Sequence, residues 1–277
     1  MSRQAFLKLC SLLLTGSLLP LEAKSSKTIM PALFFGHGSP MNSILDNGYT
    51  QMLKQTATQM PKPSAILVIS AHWETGETLL STVEDTRTIY DFGGFPESLY
   101  DVSYPTKGSK DLASKLGMHT TSRGLDHGAW SVLIHMYPKA NIPTMQLSIN
   151  SSLSLQEHFE LGKRIISSLR QHGVLIIGSG GITHNLMYFN HTNIDAKVEP
   201  YALEFDSFIK HSIETNDFKI LTTPEQSKVP LAKVHPTLEH YIPLLYIAGI
   251  ASHRENHKFI YEGFQNAAFS MRAWQIG

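Results

Sequence analysis

Short apolar runs, each followed closely by glycine, serine or histidine, alternate along the chain with longer stretches in which apolar residues recur every three or four positions. Residues 30–35 (MPALFF), 64–71 (SAILVISA), 141–149 (NIPTMQLSI) and 173–177 (GVLII) are of the first kind. They read as strands buried on both faces, with carboxyl ends that open into loops. Residues 48–60, 155–171, 201–214 and 238–248 are of the second kind and predict helices; Ser154 stands as the N-cap of the second, which closes near Gly173. Strands alternating with helices predict an α/β fold, a single domain with a central mixed, mostly parallel sheet flanked by helices. In such sheets ligands gather beyond the carboxyl ends of the strands, so the chemistry is expected there.

The first 25 residues stand apart. Arg3 and Lys8 precede a largely apolar stretch over residues 9–19, and Pro20-Leu21-Glu22-Ala23 leads into a polar segment. These are the basic, apolar and cleavable parts of a signal peptide, so residues 1–25 are expected to be a leader and residues 29–277 the folded domain. Residues 2–8 (SRQAFLK) also resemble a twin-arginine export motif with Gln4 in place of the second arginine. The expected location is periplasmic or exported if the leader functions, and cytoplasmic otherwise. No later apolar stretch approaches ~20 residues, so no membrane span is predicted.

Composition narrows the chemistry. Hydrophobic residues make up 42% and charged residues 17% of 277, enough for a sizeable core, and the formal net charge is zero. A neutral chain lacks the electrostatic footprint of a nucleic-acid binder. There are 14 histidines and a single cysteine, Cys10, which falls in the leader. The folded part therefore has neither a disulfide nor a thiolate metal site. Nitrogen and oxygen ligands remain, a set suited to Fe(II), Mn(II) or Zn(II).

Histidines stand where the topology puts ligands. The first strand runs into Gly36-His37-Gly38-Ser39-Pro40, the second into His72-Trp73, and the GVLII strand into Gly178-Ser179-Gly180-Gly181-Ile182-Thr183-His184-Asn185. One such histidine is commonly satisfied by backbone or solvent; three at successive strand ends point to a shared site. In His235-Pro236-Thr237-Leu238-Glu239-His240 a helix is expected to begin near Pro236, leaving His235 in the preceding turn and His240 within the first turns. Helical neighbours diverge by about 100°, so His240 or Glu239 faces an ion, but not both. His240 is favoured, and His235 is placed behind the ligands or at the surface. In Leu125-Asp126-His127-Gly128 the carboxylate is a candidate to fix the tautomer of a neighbouring histidine, the alternative being a helix cap with a surface histidine. Residues 90–96 (YDFGGFP) read either as an aromatic loop shaping a pocket for a planar substrate or as a turn with an apolar plug.

Taken together, GHGSP at 36–40, SAHW at 70–73, DFGGFP at 91–96, LDHGAW at 125–130, THN at 183–185 and HPTLEHYIPLLY at 235–246 resemble the class III extradiol ring-cleaving dioxygenases of the DOPA-dioxygenase type. Six ordered matches cover nearly the whole chain after residue 29. The resemblance implies that residues 29–277 are an extradiol dioxygenase catalytic domain, with a catechol and O₂ as substrates. It implies one divalent metal, Fe(II) for activity or Zn(II) as bound, with His37 and His72 as ligands. His184 corresponds to a metal ligand in the DOPA-type branch and to a catalytic base in related enzymes. His240 matches the remaining ligand, filled by glutamate in protocatechuate-type relatives, which keeps Glu239 open. His127 matches a histidine that handles substrate. An imidazole suits proton transfer in both directions near neutrality, which assigns that work to His184 or His127. Trp73 and residues 92–95 are expected to stack on the ring. Two other readings use the same histidines: a zinc-dependent hydrolase, for which the HExxH helix is missing, and a non-enzymatic metal-binding protein on the same scaffold. No pattern in the chain sets an oligomeric state.

Overall fold

Side chains on the central strands divide between two cores. On β1 (Ala32–Gly36), β2 (Ala65–Thr75) and β4 (Val174–Gly180), Leu33, Phe35, Ile66, Val68, Leu175 and Ile177 enter one core, and Ala32, Phe34, Leu67, Ile69 and Ile176 the other. Burial on both faces is why these strands read as unbroken apolar runs. The computed structural model describes residues 29–164, 166–251 and 255–277; the expected leader lies outside the described residues.

β3 (Thr144–Asn150) forms one edge of a six-stranded sheet of order β3-β2-β4-β1-β8-β5. Pairings β3–β2, β2–β4 and β4–β1 are parallel, while β8 (Ala273–Ile276) runs antiparallel between β1 and β5 (His257–Tyr261). β6 (Phe264–Gln265) and β7 (Phe269–Ser270) form a small separate ribbon. The result is the predicted α/β domain with a mixed, mostly parallel sheet.

Helices cover both faces. α1 (Gly48–Thr58), opened by a reciprocal capping box between Asn47 and Thr50, and α2 (His127–Met136) pack Tyr49, Leu53, Trp130 and Leu133 on one side. α3 (Leu155–Arg164), α4 (Pro200–Glu214) and α5 (Ile242–Ile250) supply Phe159, Phe205, Ile209, Leu244 and Ile247 on the other. Every residue of α5 is buried, as its uniformly apolar sequence requires. α3 and α5 approach backbone to backbone at Gly162 and Gly249, where a Cβ would run into the carbonyls of Tyr246 and Phe159. Among the described residues no helix is long and apolar enough to cross a membrane.

Three elements depart from expectation. β2 continues to Thr75 through a register shift between Ile69 and Glu74, so His72 lies in the irregular part of the strand instead of beyond it. The helix expected over 155–171 ends at Arg164 and resumes as a 3₁₀ segment, Ile166–His172. The helix expected near Pro236 begins at Ile242, with Pro243 in its first turn, because Gly181 N–H takes the His240 carbonyl at 2.8 Å and removes it from helical pairing. His240 is thus in the turn before α5.

Candidate metal centre

Carboxyl ends of β1, β2 and β4 meet at one edge of the sheet, and each delivers part of a histidine cluster. His37 follows β1, its N–H bonded to Gly180 O of β4 at 3.0 Å. Gly38 turns the chain at φ 65° with Met271 against it, a conformation and a space that exclude a side chain. His184 follows β4 after Thr183, whose hydroxyl donates to Ala268 O at 2.7 Å. His127 opens α2, His72 projects from β2, and the turn before α5 brings His240. Ring centroids of His37 lie 5.0 Å from His72, 5.5 Å from His127 and 5.5 Å from His240. Ligand atoms of His37, His72 and His127, and separately those of His184, Glu239 and His240, lie within 4.8 Å of one another. All five predicted histidines are therefore together.

The hydrogen bonds assign their tautomers. Ser179 Oγ donates to Gly128 O at 2.5 Å and so accepts from His37 Nδ1–H at 3.0 Å. Asp91 Oδ2 accepts from His127 Nδ1–H at 2.9 Å and faces His72 Nδ1 at 3.2 Å. Glu239 Oε1 accepts from His240 Nδ1–H at 2.9 Å. With Nδ1 of His37, His127 and His240 holding the proton, Nε2 of each carries a lone pair, and a proton on His72 Nδ1 facing Asp91 would leave one there too. His37 Nε2 and His72 Nε2 face one another at 3.1 Å, and His240 Nε2 is buried without a partner. Two lone pairs so close repel unless a proton or a metal cation lies between them. The two groups of buried histidines, with oxygen acceptors behind His37, His127 and His240, are compatible with a single divalent metal.

Electrostatics keep the rings neutral. Burial first, then the neighbouring imidazoles, hold His37 and His240 well below the ordinary histidine range. Burial brings His72 and His184 down to about 3. Burial pushes the Asp91 carboxyl up, but the hydrogen bond and charge of His127 outweigh it and hold the group at about 2. At neutral pH His37, His72, His184 and His240 are therefore neutral, and Asp91 is an anion.

Above the cluster opens a cavity of about 1050 Å³. Phe92 and Phe95 line one wall and Phe189 and Phe269 another, so the 90–96 loop does shape a pocket. Trp73 takes no part: it is buried, with the Arg123 guanidinium 5.2 Å from its ring centroid. Asp126 does not fix a histidine either. It accepts from Ser70 Oγ (2.6 Å), Gln146 Nε2 (2.7 Å) and Arg123 Nη2 (3.2 Å), a network that anchors the start of α2. The carboxylate that holds histidines is Asp91. His127 is buried, not a surface residue, and His235 is buried outside the cluster with Nε2 2.8 Å from Ile182 O. Ser179 and Asp91 both stood inside quoted motifs, where only the glycines and the aromatic rings had drawn attention.

Comparison with known proteins agrees with the geometry. Residues 31–271 match the family described as the catalytic LigB subunit of aromatic ring-opening dioxygenase. A protein of Escherichia coli (strain K12) named 4,5-DOPA dioxygenase extradiol is 39% identical over 265 residues, covering 91% of this chain and 96% of that one. A protein of the same name from Beta vulgaris is 36% identical, covering 91% and 98%. The crystal structure of an uncharacterized protein from Escherichia coli K12 superposes with a TM-score of 0.77 at 35% identity, over 90% of this chain and 100% of that one. The chain belongs to the LigB family of aromatic ring-opening dioxygenases.

Proposed function

We propose that the protein opens the aromatic ring of a DOPA-like catechol with O₂ beside the two hydroxyls, both oxygen atoms entering the product. The observation that carries this is the gathering of His37, His72, His127, His184 and His240 along an aromatic-lined cavity, with Nε2 of His37 and His72 3.1 Å apart and His240 Nε2 buried without a partner among the described residues. His37, His72 and His240 would hold the metal. When bound, Fe(II) would supply the Lewis acidity that acidifies a catechol hydroxyl and a redox path by which the catechol's electrons reach O₂, whereas Zn(II) would fit the same nitrogens and supply only the first.

The remaining groups handle protons and the ring. His184 lies parallel to His240 with centroids 3.5 Å apart, spends neither ring nitrogen on another side chain among the described residues, and lines the cavity. It is the base that takes a hydroxyl proton and later returns it. His127, with Nδ1–H committed to Asp91, presents Nε2 to the same cavity as the second proton acceptor. Phe92 and Phe269 flank the planar ring and exclude water. Family membership and the names of the relatives favour ring opening over a zinc hydrolase or a non-enzymatic metal protein.

Oxygen uptake tests the proposal. Full-length protein is stripped of metal, reloaded anaerobically with Fe(II) or Zn(II), and given L-DOPA, caffeate, protocatechuate or catechol. Uptake with Fe(II) only, accompanied by a yellow ring-opened product, is expected. Tight stoichiometric metal binding with no uptake on any catechol would discard ring cleavage.

A further inference from the structure

The aromatic 90–96 loop also carries a carboxylate, and Asp91 turns it toward the histidines. Asp91 Oδ2 lies 2.9 Å from Nδ1 of His127 and 3.2 Å from Nδ1 of His72, while Oδ1 accepts the backbone N–H of His127 at 2.9 Å. The two imidazoles come from different elements, β2 and the first residue of α2. One oxygen thus faces both rings, hydrogen-bonded to His127 and within ion-pair distance of His72. An acceptor at Nδ1 fixes the proton there and leaves the lone pair at Nε2, the atom through which His72 faces His37 at 3.1 Å.

We propose that Asp91 is a positioning residue that sets the tautomers of His72 and His127 together; this rests on the metal centre proposed above. Asn in its place keeps the shape but has one acceptor oxygen and one amide NH₂. With nitrogen at the Oδ2 position, the amide donates to both rings and drives them toward Nε2–H, which closes the lone pairs. With nitrogen at the Oδ1 position, it opposes the His127 N–H. Neither orientation preserves all three contacts.

The experiment measures Zn(II) and Co(II) affinity of metal-free full-length protein by competition with a chromophoric chelator. Asp91→Asn is expected to weaken binding roughly 10- to 100-fold at an unchanged melting temperature of the metal-free protein. Phe92→Ala, which alters the same loop but keeps the carboxylate, is expected to bind like wild type. Wild-type affinity in Asp91→Asn overturns the inference, as does an equal loss in Phe92→Ala, which would mark a general effect of the loop. A wild type that binds no metal overturns the metal centre along with it, and shows this before any variant is made. Should Asp91→Asn fail to fold, long-range ¹H–¹⁵N spectra of the metal-free wild type decide. Neutral Nδ1–H forms at His72 and His127 support the assignment, and an Nε2–H form at either overturns it.

Discussion

His184 lies flat on His240, with centroids 3.5 Å apart and planes within 4°. Phe269 stacks on its other face at 4.6 Å. A ring held by its two faces keeps its place without a hydrogen bond from another described side chain, and that leaves it available for a substrate proton. His184→Phe preserves the stack and removes the base. It is expected to lower kcat by roughly 10²- to 10⁴-fold while metal content, measured by elemental analysis after anaerobic Fe(II) loading, stays at the wild-type level. Parallel loss of metal and turnover would instead make His184 a ligand.

His37 and His72 should behave differently. Their Nε2 atoms are 3.1 Å apart, so removing either ring breaks the pair that a cation would join. His37→Ala and His72→Ala are each expected to lose most of the bound metal. A ligand that binds only the folded state at 100 times its Kd adds about 2.7 kcal/mol of stability. Wild type should therefore melt higher with Zn(II) than with chelator, and the two variants should not. A full thermal response in either variant would remove that residue from the ligand set.

Charge in the cavity bears on which catechols enter. Asp91 and Glu239 line it, and among the described residues that line it there is no lysine or arginine. A carboxylate attached directly to the ring has no cation to meet there, and an unpaired charge taken out of water is costly. Dopamine and 4-methylcatechol are expected to show kcat/KM at least ~10-fold above protocatechuate, a difference of about 1.4 kcal/mol. Equal values would mean that the carboxylate stays in solvent at the cavity mouth.

Acid sensitivity should follow from a histidine far from the cluster. His158 on α3 is fully buried, with Nδ1 3.0 Å from the Tyr246 hydroxyl, and burial brings it down to about 4. The unfolded chain protonates near pH 6.5, so between those values the unfolded state binds more protons. Stability is complete above about 6.5 and falls as pH drops toward 4. The site imidazoles are lowered in the same sense, so the comparison is between variants of metal-free protein. His158→Gln should lose less urea stability from pH 7.5 to 5 than wild type, by ~1–2 kcal/mol at the scale of 1.36 kcal/mol per unit. An identical loss would place the acid sensitivity elsewhere.

Local composition revealed much of this molecule, and distant contacts the remainder. β1, β2, β3 and β4 read correctly within a few residues because strands buried on both faces are apolar throughout. β5 and β8 escaped notice: one is only half-buried and the other has four residues, so neither shows a period. All five histidines stood out by type and by position after apolar runs. Their acceptors did not, because pairing is set by the fold: Ser179 meets His37 across 142 positions and Asp91 meets His127 across 36. Asp126, adjacent to His127, drew attention by neighbourhood alone, and its carboxylate serves Ser70, Gln146 and Arg123 instead. Pro236 reads as the start of the last helix, and only the contact of the His240 carbonyl with Gly181 N–H, far away in sequence, moves that start to Ile242.

The place of β1 sets a timetable for biosynthesis. It is the first strand made, yet its neighbours are β4 and β8, so it is flanked only by segments that follow much later in the chain. At roughly 5–20 residues per second, Leu33, Phe34 and Phe35 wait on the order of ten seconds on the ribosome before β4 arrives, and longer for β8. During that wait the nascent chain has an unpaired apolar edge and needs sheltering. Until β4 arrives, His37 has no Ser179 to orient it. Capture of a metal by His37, His72 and His240 would consequently come late, after β4 has joined β1 and the turn before α5 has brought His240.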